Sequence, residues 1–231
     1  MDLDFTRSKS LNNIPNKKLQ DILDAIGNKT VSEKNILTTA FLRYAEANIP
    51  IEYWNLKMDR DFIGDPRLKQ KYNEYIFNIQ QSYVSGKSIC FAGSHGNGKT
   101  TTTTCILKKC VEKGYSALYT TCSDIVSTLT QASNEEKFLA KRELVMVDFL
   151  VIDELDNRFM ATEFASDLYA RSLEGVFRTR SQNKLPTLIC TNSPNVIESF
   201  TGALKASLDS LMHGNMEFFI VMGNDHRKLV K

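Results

Sequence analysis

Three short stretches carry side chains whose types and spacing suit chemistry on a phosphate ester. The first is Gly93-Ser94-His95-Gly96-Asn97-Gly98-Lys99-Thr100. It follows an apolar, strand-like run and opens a helical segment, so it matches G-x-x-x-x-G-K-[ST] in the strand–loop–helix context that pattern requires. Glycines let successive backbone N–H groups turn inward around a β-phosphate, and the helix behind them adds its positive N-terminal end. Lys99 is spaced to reach the β- and γ-phosphate oxygens and Thr100 to offer its hydroxyl to Mg²⁺. Gly93, Ser94, His95, Gly96, Asn97, Gly98, Lys99, Thr100 and Thr101 are therefore the expected nucleotide-binding set, and the expected ligand is a nucleoside triphosphate, ATP, with Mg²⁺.

The second stretch, Phe149-Leu150-Val151-Ile152-Asp153-Glu154, is an apolar run ending in two acids. Apolar residues throughout imply a strand buried on both faces, with the acids at the carboxyl edge where open α/β sheets bind ligands. Asp153 is placed to hold Mg²⁺, and Glu154 to orient and activate the water that attacks the γ-phosphate. The third stretch, Leu188-Ile189-Cys190-Thr191-Asn192, repeats the pattern with a polar end. Asn192 either contacts the attacking water or the γ-phosphate, or opens a turn before Ser193-Pro194. Lys99, Glu154 and Asn192 are the catalytic candidates; Thr100 and Asp153 are the metal candidates.

Positioning such groups takes alternating strands and helices. Strand-like runs span 88–92, 116–120, 149–152, 187–191 and 218–222, with helical segments between them, which predicts a P-loop α/β core around a five-stranded parallel sheet. Apolar residues repeat at helical spacing over 15–27 and 32–48, giving a small helical N-terminal region over residues 1–48 ahead of an ATPase domain at 49–231. Those helical stripes either dock a partner or pack on the chain's own core. A connector at 49–67 holds the turn-like Gly64-Asp65-Pro66, and a further helix is expected over 68–83. The threonines that follow Thr100 encode their helix weakly, at up to ~0.7 kcal/mol each against alanine.

Composition excludes some classes. A net charge of +2 neither demands nor forbids nucleic acid. No apolar run approaches the roughly 20 residues that cross a bilayer, and the start lacks the regions of a secretion signal, so no membrane association and a cytoplasmic location are expected. The five cysteines show no CxxC spacing and read as reduced core thiols. Lys108, Lys109 and Lys113, or Arg171, Arg178 and Arg180, offer cations to nucleic-acid phosphates or form solvated faces.

Taken with Leu185-Pro186-Thr187, Gly214-Asn215 and the closing Asp225-His226-Arg227, these stretches resemble the DnaC/DnaI-type helicase loaders and the related IstB-like AAA+ ATPases over residues 49–231. The resemblance implies an AAA+ core with ATP bound between neighbouring subunits of a homo-oligomer. It also implies a hexameric replicative helicase and single-stranded DNA as partners, and loading of the helicase onto that DNA during replication. An IstB-like transposition ATPase acting with a transposase on DNA is the alternative. Arg227 falls where the family carries a nucleotide-sensing arginine. Nucleotide contacts are implied from the connector around Ile51 to Trp54. One departure stands out: where the family carries an arginine finger, Leu204 to Leu211 offers only Lys205, whose point charge cannot grip a γ-phosphate bidentately. Slow or partner-stimulated hydrolysis is the expectation, with Arg178 or Arg180 as substitutes. A small-molecule kinase is disfavoured by Glu154 directly after Asp153.

Overall fold

Runs such as Ser88–Ala92 and Phe149–Asp153 have apolar side chains on both strand faces, and a strand of that kind is stable only between two covering layers. The computed structural model, which describes residues 31–155, 163–193, 205–207, 209–210, 214 and 216–222, arranges them so. Strands β1 (Ser88–Ala92), β2 (Ala117–Thr121), β3 (Phe149–Asp153), β4 (Thr187–Thr191) and β5 (Met216–Ile220) form one parallel sheet in the order β2-β3-β4-β1-β5. Every residue of β1, β3 and β4 is buried.

Alternate strand residues face opposite layers. Phe91 and Val151 join a core with Ile106, Leu107 and Val111 of helix α4 (Lys99–Glu112), with Phe41 and Tyr44 of α1 (Val31–Glu46), and with Leu68, Tyr72 and Tyr75 of α2 (Pro66–Phe77). Cys90, Leu150 and Ile152 face the other core, built with Ile125 of α5 (Cys122–Gln131), Leu144 of α6 (Asn134–Met146) and Leu173, Val176 and Phe177 of α7 (Glu163–Gln182). All five cysteines are buried and free, and burial pushes the thiols of Cys90, Cys105, Cys110 and Cys190 up, as expected for core residues.

Several boundaries differ from expectation. The helix predicted over 68–83 is two helices, α2 and α3 (Ile79–Ser85), which part at Asn78 (φ −102°, ψ 23°). It starts two residues early because Asp65 caps it, accepting the Arg67 amide at 3.0 Å, with Pro66 in the first turn. Strand β2 sits one residue later than predicted, and β5 two residues earlier, aligned by its pairing of Ser88 with Met216 through Ala92 with Ile220.

The described stripe residues of α1 pack on the core. Phe41 and Tyr44 ring Trp54 at centroid distances of 5.3 and 6.3 Å. The Tyr44 hydroxyl bonds Glu112, and Arg43 donates to the Val111 carbonyl at 3.3 Å. The helix predicted over 15–27 lies outside the described residues.

Candidate functional site

The phosphate loop leaves β1 at Ala92 and is drawn tight against its neighbours. The Gly93 amide donates to the Thr191 carbonyl at 3.2 Å, and the Val221 amide to that of Ala92 at 2.7 Å. A Cβ on Gly93 would lie 2.2 Å from the Val221 carbonyl oxygen, so only glycine fits there. Gly98 has φ +88°, and a Cβ on it would meet the Phe62 ring at 2.7 Å. Gly98 is also the N-cap of α4 and has no side chain to accept the first-turn amides, whereas Thr121 and Ser133 cap α5 and α6. Those α4 amides and the helix's positive end thus face the loop, an arrangement that suits a polyphosphate.

Lys99 is 5% exposed and folds back across the loop, its ammonium donating to the carbonyls of Gly93 at 2.8 Å and Ser94 at 2.7 Å. Asn97 is buried and braces the loop through Nδ2 to Ser94 Oγ at 2.9 Å. Ser94 and His95 are exposed, while Gly96, Thr100 and Thr101 are half-buried. The threonines after them are packed into α4. Thr102, Thr103 and Thr104 are fully buried and donate back to the carbonyls of Gly98, Lys99 and Thr100.

Because β4 lies between β1 and β3, the polar ends of three adjacent strands meet at one carboxyl edge. Thr191 is the register partner of Ala92, which places half-buried Asn192 beside Gly93. Asp153 is 5% exposed; Oδ1 accepts the Glu154 amide and Oδ2 the Tyr119 hydroxyl, both at 2.8 Å. Each carboxylate oxygen keeps a further lone pair, so the hard oxygens of Asp153 and Thr100 suit Mg²⁺. Burial first, then the Asp153 charge, drive the Tyr119 phenol well above its ordinary pKa, which keeps it a donor. Glu154 takes left-handed backbone (φ +54°), costing on the order of 1 kcal/mol. The turn lets the Leu155 amide reach the Cys190 carbonyl at 2.9 Å and drops Leu155 into the core, leaving the Glu154 carboxylate exposed at the rim.

The connector meets the loop at residues absent from the sequence-based set. Phe62 covers Gly98, and a Cβ on Gly64 would lie 2.6 Å from the Asn97 carbonyl oxygen. The Asp65 amide donates to that oxygen at 3.3 Å. The Asp65 carboxylate accepts the Met222 amide at 3.2 Å and pairs with Arg67 at 2.5 Å, so one residue, by its amide and its side chain, joins connector, loop and the end of β5. Its Gly-Asp-Pro turn is visible in sequence; its long-range partners are not. Of the expected stretch 51–54, Tyr53 lies close enough to Asp153 for that charge to help raise its phenol, after burial and Glu52.

Two cations proposed for nucleic acid or for the finger are structural. Arg180 is 1% exposed and spends its guanidinium on Thr187 Oγ1 and the carbonyls of Leu144, Val147, Asp148 and Pro186. Lys108 is 5% exposed and donates to the carbonyls of Tyr53, Trp54 and Leu56. Neither can reach a phosphate on a partner without dismantling these bonds. Lys109 pairs with Glu112 at 2.6 Å, and exposed Arg178 with Glu174 at 2.5 Å and with Ser207 at 3.4 Å. Lys113 and Arg171 are exposed. Arg227 lies outside the described residues.

A parallel sheet of this order, with a glycine-lysine-threonine loop after the inner strand β1 and acidic and polar strand ends beside it, defines a P-loop protein of the AAA+ class. The profile of IstB-like ATP binding proteins matches residues 60–194, more than half of the chain. The chain belongs to that family, whose nucleotide is ATP. Among curated proteins it is similar to the replicative helicase loader DnaC of Escherichia coli (strain K12), 24% identical over 209 residues that cover 88% of this chain and 79% of DnaC. Among solved structures, that of the DnaC helicase loader superposes with a TM-score of 0.60 at 19% identity, covering 75% of this chain and all of that one. The replication initiator DnaA bound to AMPPCP and single-stranded DNA gives a TM-score of 0.59 at 16% identity, covering 77% of this chain and 52% of that chain, so this chain spans about half of it. Among the described residues, no helix is long and apolar enough to cross a membrane.

Proposed function

We propose that the chain is an ATP-switched helicase loader that engages a hexameric replicative helicase and helps place it on single-stranded DNA. One observation carries this reading over the IstB-like transposition alternative. The similarity to DnaC spans 88% of the chain, well beyond the 60–194 segment shared with IstB-like proteins in general. Residues 1–48 would then be the partner-binding region, tied to the ATPase domain at 49–231 through Phe41, Tyr44 and Ala47, which are buried in its core.

The loop amides from Gly93 to Gly98 and the first turn of α4 bind the β-phosphate, and Lys99 exchanges its bonds to the Gly93 and Ser94 carbonyls for phosphate oxygens. Thr100 and Asp153 would hold Mg²⁺, which would supply neutralisation of the phosphate charge. Glu154, exposed at the rim, orients the attacking water and accepts its proton, while Asn192 holds that water or the γ-phosphate. Arg227 senses the bound nucleotide. With Arg180 locked in the core, Lys205, Arg178 or a partner must complete the neighbour's site, so hydrolysis is slow in the isolated chain and acts as a reset.

The test is capture of partners with ATP from the natural host's lysate, comparing the tagged wild type with Lys99→Ala and identifying stoichiometric partners by mass spectrometry. ATP- and Lys99-dependent recovery of a hexameric helicase is the expected result. Recovery of a transposase, or of no replication protein, would transfer the assignment to the transposition alternative.

A further inference from the structure

Tyr119 is bonded both to the acidic end of β3 and to the turn that follows α1. Its hydroxyl donates to Asp153 Oδ2 at 2.8 Å. Its backbone is held from the other side: the Tyr119 amide donates to the Ala47 carbonyl at 2.8 Å, and the Asn48 side-chain amide donates to the Tyr119 carbonyl at 3.0 Å. Asn48 is itself in left-handed backbone (φ +53°), reversing the chain just after α1, and the Ile49 amide closes that turn on Tyr44 at 2.9 Å. Tyr44 and Arg43 are fastened to Glu112 and Val111, at the far end of the helix that begins at Lys99.

The connection is short and stiff at each step. Tyr119 is 8% exposed and Asp153 5%, so water competes poorly for the hydroxyl bond. Register supports the contact: Tyr119 pairs with Val151, and in a strand the residue two further on faces the same side, which aims Asp153 at the Tyr119 ring edge. Through Tyr119 the acidic strand end therefore meets the N-terminal region by one side chain and the backbone amide and carbonyl of the same residue.

We propose that Tyr119 is a positioning residue that sets the Asp153 carboxylate for Mg²⁺ and, through its backbone hydrogen bonds with Ala47 and Asn48, transmits occupancy of the nucleotide site to the end of α1. The proposal rests on the ATP-switched reading above and gives that switch a route to the partner-binding region. A hydroxyl that holds a metal-binding carboxylate acts on the metal and leaves contacts with the nucleotide alone unchanged. Loss of such an outer partner typically weakens metal binding on the order of tenfold or more.

The test is Tyr119→Phe in the full chain, a change that keeps the ring and removes one oxygen. Two quantities are measured: ATP affinity in Mg²⁺ and in EDTA, and hydrogen exchange over Arg43 to Ile49 with and without ATP and Mg²⁺. In the wild type, Mg²⁺ tightens ATP binding and the loaded state slows exchange across Arg43 to Ile49. In the variant, the Mg²⁺-dependent gain shrinks roughly tenfold, affinity in EDTA holds, and the exchange response is lost. An unchanged Mg²⁺ gain overturns the proposal, as does an exchange response that survives the substitution or is absent from an ATP-binding wild type. A wild type that binds no ATP overturns the ATP-switched reading as well, so the two failures are distinguishable.

Discussion

Arg180 offers the sharpest check on how the two sides of the sheet divide their labour. All five of its N–H donors are spent: Nε on Thr187 Oγ1 at 2.9 Å, Nη1 on the Leu144 and Val147 carbonyls at 2.9 Å each, and Nη2 on those of Asp148 at 3.3 Å and Pro186 at 2.7 Å. These acceptors come from the end of α6 and the starts of β3 and β4, at the amino edge of the sheet, away from the phosphate loop. Arg180→Lys keeps the charge but has three donors on a single point, so at least two acceptors go unpaired. At about 1–3 kcal/mol for each buried group left unsatisfied, with misplacement of the remaining bonds added, the loss is about 3–5 kcal/mol. For a chain of this length that lowers Tm by roughly 10 °C. Calorimetric melting of both proteins measures it, with ATP turnover assayed well below either transition. An unchanged Tm together with abolished turnover would refute the structural assignment and return Arg180 to the finger role.

Three further outcomes follow from the same geometry. Lys108→Met removes the ammonium that donates to the Tyr53, Trp54 and Leu56 carbonyls and should cost about 2–3 kcal/mol in a denaturant melt. Its salt-dependent affinity for single-stranded DNA should stay at the wild-type level; the opposite pattern would restore a phosphate contact. Gly93→Ala drives a methyl to 2.2 Å from the Val221 carbonyl oxygen, so loop and β5 end must separate at about 1–3 kcal/mol, weakening ATP roughly tenfold by fluorescence titration. Wild-type affinity would mean that the loop does not bind in this form. Arg67 holds the Asp65 carboxyl below its ordinary 3.8, so Asp65 stabilises the fold above about pH 4 and that share is lost as pH falls through its depressed pKa. Asp65→Asn should therefore lower Tm at neutral pH, with the gap to wild type narrowing as pH falls below 3.8 and through the depressed pKa; a gap independent of pH would assign the effect to packing instead.

What was legible in sequence was what is local in sequence. The phosphate loop declares itself because its glycines, lysine and threonine all serve one contiguous turn. Strands β1, β3 and β4 declare themselves because burial on both faces demands uninterrupted apolar runs. Strand β5 is an edge strand, only partly buried over Glu217 to Phe219. Its apolar run continues through Val221 and Met222, so composition cannot choose the register that its pairing with β1 imposes. The break at Asn78 was hidden for a related reason, since apolar spacing continues across it from Tyr75 to Ile79, both buried. The site residues that escaped, Tyr119, Phe62, Gly64 and Asp65, act across long separations, Asp65 with Met222 and Tyr119 with Asp153.

The two misread cations show why charge in a sequence is ambiguous in a particular direction. A lysine or arginine on a helix reads as solvated because an unpaired buried charge is too costly to expect. Lys108 and Arg180 escape that cost without a carboxylate in hydrogen-bonding contact, by gathering backbone carbonyls from segments that have left their helix or strand ladders. Such carbonyls need donors wherever the chain turns inside the fold. Lys108 serves the connector above α4, and Arg180 serves the turns entering β3 and β4. Both therefore hold the elements that carry Lys99, Asp153 and Asn192, and neither touches the ligand. Substituting either should loosen the site's frame before altering its chemistry, whereas Tyr119 acts on the Asp153 carboxylate itself, so melting and Mg²⁺ dependence of ATP binding separate the two kinds of residue.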